Sequence, residues 1–172
     1  DCEVHTLFQE ENLGCKCGPS TAIDWFFQHV EEGIILEDDC VPDLTFFSYC
    51  QELLERYRYN PKILSISGFN FGYSPSVATS SYSFSRYMNM WGWATWRRNL
   101  KLIDYEIKEW ETIDQVAFLH RSTKASIFDF DWKWIKDWRR TFSDLIYKNV
   151  DAWDYCCLYA GLKYRMLSIY PN

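Results

Sequence analysis

The apolar positions of this chain fall into short runs and helical stripes that alternate along its length. Glu3-Val4-His5-Thr6-Leu7-Phe8 alternates, which predicts a strand over 3–8. Asn12-Leu13-Gly14 reads as a turn. Gly18-Pro19 then opens a helix, because proline in a first turn forfeits no hydrogen bond. Ala22, Ile23, Phe26, Phe27 and Val30 give that helix its apolar face, and Gly33 stops it. Ile34-Ile35-Leu36 runs straight into Glu37, a continuous apolar run that predicts a buried strand over 34–37. Pro42-Asp43 starts the next helix, with Phe46, Phe47, Cys50, Leu53, Leu54 and Tyr57 at helical spacing and Asn60-Pro61 at its end. Residues 62–67 predict another strand, closed by Gly68. Residues 69–81 read as a loop and 81–86 as a short strand. Met90-Trp91-Gly92-Trp93-Ala94-Thr95-Trp96 leads into a basic helical stretch carrying Arg97, Arg98 and Lys101. Residues 102–126 show no clear period. Helices are predicted over 129–148 and 153–163, and a closing strand over 165–170.

Strands that alternate with helices imply an α/β fold with a largely parallel sheet flanked by helices. The 172 residues fit one domain, 1–172, with no repeat and no linker. An apolar fraction of 48% with 24% charged residues is that of a globular chain. The net charge of −6 argues against a nucleic-acid partner, which calls for a basic face. Aromatics reach 19%; such rings fill cores and also line carbohydrate sites. Seven cysteines, an odd number without disulfide or zinc spacing, predict free buried thiols in a reducing compartment. No run approaches the eighteen or so apolar residues of a membrane span, and no signal peptide is visible. The chain begins at Asp1, so an N-terminal segment is expected to be missing. The expected location is cytoplasmic, with peripheral attachment to a membrane left open.

The candidate chemistry sits at Glu37-Asp38-Asp39, three carboxylates at the C-terminal edge of a predicted strand. That edge is where open α/β sheets bind ligands. Adjacent acids repel, and a divalent cation held by oxygen ligands is their natural counter-ion. Asp154 is a candidate general base or a helix cap. Asp129 and Asp131 form a second acidic pair, read as a helix start because acids favour the positive end of a helix dipole. The three histidines form no ligand pattern. Arg97, Arg98, Arg139 and Arg140 read as solvated faces.

Three blocks, in order, carry a resemblance to the GT-A class of nucleotide-sugar glycosyltransferases, nearest to the N-acetylglucosaminyltransferase I family and its bacterial relatives. The first is Ile35-Leu36-Glu37-Asp38-Asp39 with Pro42-Asp43 and Phe46-Phe47, similar to that family's Glu-Asp-Asp metal motif. The second is Ile66-Ser67-Gly68-Phe69-Asn70 with Met90-Trp91-Gly92-Trp93, similar to its Asn-bearing loop and its Gly-Trp acceptor-side segment. The third is Trp153-Asp154-Tyr155, similar to a Trp-Asp motif bearing the catalytic base. The likeness spans roughly residues 12–160 and implies a Rossmann-like, mixed, mostly parallel sheet that lacks the first nucleotide-binding strand. The chain would then be the central part of a larger enzyme, short at both ends.

The resemblance implies a metal-dependent, inverting transfer of a hexosyl or N-acetylhexosaminyl group from a nucleotide-diphosphate donor, a UDP-sugar above all, to a glycan or glycolipid hydroxyl. Mn²⁺ or Mg²⁺ would bind Asp39 and Asp38. Glu37, Asp38 and Asn70 would serve the donor. Trp91, Gly92, Trp93 and Trp153 would face the acceptor, and Asp154 would be the base. Surface polysaccharide synthesis is the family-level setting. The alternative is a catalytically silent carbohydrate- or nucleotide-binding module of the same fold. A metal-dependent hydrolase ranks last, because the histidines and second acid cluster such sites draw on are missing.

Overall fold

The computed structural model describes residues 2–70, 80–123 and 131–172. Its strands are β1 (Glu32–Ile35), β2 (Ile63–Ser67), β3 (Tyr82–Ser85), β4 (Trp93–Trp96) and β5 (Leu167–Pro171). Its helices are α1 (Gly14–His29), α2 (Leu44–Tyr57), α3 (Arg97–Leu100), α4 (Gln115–Thr123), α5 (Trp132–Tyr147) and α6 (Asp154–Lys163), with a 3-10 turn at Lys108–Glu111. The strands form one mixed sheet in the order β1-β4-β2-β5-β3, flanked by helices.

The α/β class holds, but the sheet is not mostly parallel. Only β2 and β5 pair in parallel; β4 lies antiparallel to both β1 and β2, and β3 antiparallel to β5. The cause is β4, which sequence patterning does not predict. All four of its residues are buried, so it has no polar-apolar alternation to betray it. It inserts between β1 and β2 and separates two strands that run in the same direction.

Side chains alternate across β4 and divide the core. Ala94 and Trp96 pack with Phe46, Cys50, Leu53 and Leu54 of α2 on one face. Trp93 packs with Ile23 and Phe27 of α1 and with Trp153 and Cys157 on the other. β1 obeys the same rule, with Ile34 on the α2 side and Ile35 on the α1 side. A further cluster joins α4, α5 and α6 around Trp110, Phe142 and Tyr159. Residues Cys156–Leu162 of α6 are all buried, which ties this cluster to the sheet.

Two more expectations change. Residues 3–8 form no strand: Val4 is 77% and Phe8 86% exposed. Alternation licenses a strand only where a neighbouring edge accepts its hydrogen bonds. The first helix begins at Gly14, so Pro19 lies inside it. Its earlier start is fixed from a distance, because Asp151 accepts from the amides of Cys15 (2.7 Å) and Lys16 (2.7 Å). Asp131 does open α5 as expected, accepting from the Trp134 amide at 3.0 Å, whereas Asp129 lies outside the described residues. All seven cysteines are free, but only Cys50, Cys156 and Cys157 are buried.

Candidate active site

The directions of β1, β2 and β5 agree, so their carboxyl ends share one edge of the sheet. Leu36–Asp39 leave β1 there, Gly68-Phe69 leave β2, and Pro171 ends β5. Trp91-Gly92 arrive at the same edge to enter the antiparallel β4. These residues and the start of α2 enclose a cleft of about 680 Å³. Leu36, Phe46, Gly68, Phe69, Trp91 and Gly92 supply its apolar surface, and Asp39 and Asp43 supply its carboxylates.

Two glycines shape the floor. Gly92 sits at φ +69°, in the left-handed region, and its carbonyl accepts from the Gly68 amide at 2.7 Å. A Cβ on Gly68 would stand 2.4 Å from the Phe46 ring. Phe46 can therefore pack against Gly68 and line the cleft only because Gly68 has no side chain. Trp91 is 58% exposed and packs against Phe69 at 5.2 Å between ring centroids. Among the described residues of the lining it is the most exposed aromatic side chain.

The acids occupy a tight turn in which the Cys40 amide donates to the Glu37 carbonyl at 3.0 Å. Asp38 and Asp39 are its exposed central residues. Asp43 is absorbed by structure: it caps α2, accepting from the Thr45 amide (2.9 Å) and hydroxyl (2.7 Å). Those bonds hold its carboxyl below the usual range. Glu37 moves the other way. Partial desolvation of its carboxyl, then the charges of Asp39, Asp154 and Asp38, raise its pKa. Among the described residues, the charged groups that act on Glu37 are all carboxylates.

Asp154 is the first residue of α6 and is half-buried; Trp153, at the cap position, makes no side-chain cap. Burial raises the Asp154 carboxyl, against the pull of the Tyr155 amide and its own. Asp154 does not line the cleft, but it stands within electrostatic reach of Glu37 and of Cys15.

A divalent cation can be tested against these donors. Mg²⁺ and Mn²⁺ are held by one or two carboxylates, water and substrate phosphates more often than by a full protein cage. Asp39, open to the cleft, and the adjacent Asp38 suit that mode. Among the described residues no three His, Cys, Asp or Glu side chains converge as a ready-made cage. The donor set thus fits a cation that arrives with an anionic ligand.

The other expected site residues divide. Trp91 and Gly92 line the cleft. Trp93 and Trp153 were expected at the acceptor surface, but they are 1% and 3% exposed and stack on each other at 5.9 Å. Apolar rings of that size gain more inside the α1–sheet core than at an edge. Asn70 follows β2, and its amide donates to the Pro171 carbonyl at 3.0 Å, pinning β5 to the end of β2. Sequence reasoning missed Tyr49, whose ring lines the cleft. Its hydroxyl is buried without a partner among the described residues, and burial pushes the phenol upward. Helical spacing places Tyr49 three residues after Phe46, the one signal that could have found it.

No family model, curated protein or solved structure matches this chain.

Proposed function

We propose that the chain carries the donor-side chemistry of a metal-dependent, inverting glycosyltransferase that uses a nucleotide-diphosphate sugar, with a glycan or glycolipid hydroxyl as acceptor. The observation that supports it is Asp39. The half-buried edge strand β1 delivers this exposed carboxylate to a cleft at the carboxyl edge of the sheet, beside an exposed tryptophan. Among the described residues no Lys, Arg or His lines that cleft. A diphosphate would therefore meet carboxylates alone unless a cation came with it.

A bound divalent ion supplies Lewis-acid stabilisation of the charge that develops on the departing diphosphate. Asp39 and Asp38 are its protein ligands in this account. Glu37 supports their turn through its carbonyl. Trp91 offers its face to a sugar ring. Asp154 takes the acceptor hydroxyl proton as that oxygen bonds to the anomeric carbon and the carbon–phosphate-oxygen bond breaks, so one displacement inverts the centre. Burial strengthens Asp154 as a proton acceptor, and a positioned base is worth roughly 10²–10⁴-fold in rate.

The test is release of UDP from a panel of UDP-sugars with Mn²⁺, in the presence of neutral glycan acceptors. Release that depends on acceptor and metal and vanishes in Asp39→Ala supports transfer. Undiminished release in that variant ends the proposal. The second reading, a binding module without turnover, is favoured by one observation: Asp154 stands outside the cleft lining. Saccharide binding without any release would select it.

A further inference from the structure

The segment between α5 and α6 is held at two points. Asn149 turns the chain out of α5 in the left-handed conformation, at φ 47°. Two residues on, the Asp151 carboxylate receives both the Cys15 amide, through Oδ2, and the Lys16 amide, through Oδ1, each at 2.7 Å. These amides are otherwise unsatisfied donors of the first turn of α1, and the 16-residue helix adds its dipole to the attraction. Gly14 is shaped to this contact. It lies at φ +75°, and a Cβ there would sit 2.5 Å from Asp151 Oδ2. The second hold is Trp153, whose ring stacks on Trp93 of β4, next to Gly92 in the cleft. Asp154 follows at once.

We propose that Asp151 is a positioning residue: its carboxylate latches this segment to the start of α1 and thereby sets Asp154 at the sheet edge, within reach of the acidic turn. The inference rests on Asp154 as the proton acceptor of the proposed reaction. A helix cap could be supplied locally, and Asn12 already accepts from the Gly14 amide at 2.8 Å. The Asp151 contact instead spans 136 residues in sequence and ties down the residue three before Asp154. Among the described residues, the charged and titratable groups that sense Asp154 come from three elements: Cys15 of α1, Glu37 after β1, and Cys156 and Cys157 of α6. Asp151 is absent from the influences on Asp154 itself, which are burial and two backbone amides. Burial is the largest of them, so a shift in the position of Asp154 alters its titration.

The experiment follows the Asp154 carboxyl carbon by NMR through an acid titration in the wild type, Asp151→Ala, Asp151→Asn and Gly14→Ala. The last variant breaks the latch without altering any charge. Asp151→Asn keeps one acceptor and serves if the alanine variant does not fold. Moved Cys15 and Lys16 amide signals report that the latch has opened. With the latch open, the Asp154 midpoint is expected to fall toward the ordinary aspartate range in both Gly14→Ala and the Asp151 variant that folds. An open latch with an unchanged midpoint overturns the proposal and leaves Asp151 as a helix cap. The titration needs no substrate, so its outcome is separate from that of the UDP-release assay. If transfer is seen, loss of the latch is expected to lower kcat with little change in the donor KM.

Discussion

At the scale of single residues, the cleft depends on what two glycines lack. Gly92 has room for a methyl group, with Leu36 Cδ2 at 3.4 Å, but its φ of +69° does not suit one. Gly92→Ala is expected to cost about 1–2 kcal/mol, read as a lower denaturation midpoint at unchanged m-value. Gly68 has the opposite problem, a permissible backbone and no space. Gly68→Ala is expected to push Phe46 out of the floor and weaken any cleft ligand, which a binding titration checks. Asp39→Ala touches neither floor nor core and is expected to leave the thermal midpoint nearly unchanged while removing metal-dependent binding. The acids were legible in the sequence because an apolar strand runs into them. Trp93 and Trp153 were misplaced because a tryptophan in a Gly-Trp or Trp-Asp pair looks alike on a surface or in a core. Asp151 gave no signal, since its partners lie across the whole chain.

At the scale of elements, β4 explains the sheet. It pairs with β2 at Ile66 and Ser67, and the ladder between β2 and β5 slips between Ile63 and Ser65. The slip leaves carbonyls near Leu64 in need of donors. Thr95 Oγ1 donates to the Leu64 carbonyl at 2.6 Å, and Asn99 Nδ2 donates to the carbonyls of Leu64 (2.7 Å) and Ile63 (3.1 Å). Thr95 and Asn99 are each 2% exposed, so no bulk water substitutes for them. Asn99→Leu is expected to destabilise by about 1–3 kcal/mol, measured in urea, because it strands buried acceptors. Asn99→Asp is expected to be no milder, since it removes the donating amide. Patterning found α2, β2, β3, α5, α6 and β5 because each carries a clear period or is bounded by turn residues. It missed β4 because a four-residue strand buried on both faces has no period, and it predicted a strand at 3–8 that finds no partner.

At the scale of the whole molecule, opposing carboxylates shape the response to pH. Glu32 is held below its usual range first by hydrogen bonding to Arg58, at 2.7 and 2.9 Å. Its contribution is present above the ordinary glutamate pKa and is lost as pH falls through the lowered one. Asp154, raised by burial, runs the other way. Its contribution is complete below the ordinary aspartate pKa and is lost as pH rises through the raised value. Asp154→Asn is therefore expected to raise the thermal midpoint at neutral pH, with the gain fading in acid, while it lowers transfer by roughly 10²–10⁴-fold. A fall in stability at neutral pH would show that Asp154 is a structural acid. Among the described residues no helix is long and apolar enough to cross a membrane. The central claim is that Asp39 presents a cation to a nucleotide diphosphate in the cleft. Calorimetric titration of UDP, with and without Mn²⁺, into the wild type and Asp39→Ala tests it most directly. The account predicts binding only when metal and Asp39 are both present; equal binding without either would contradict it, and so would no binding to the wild type with Mn²⁺.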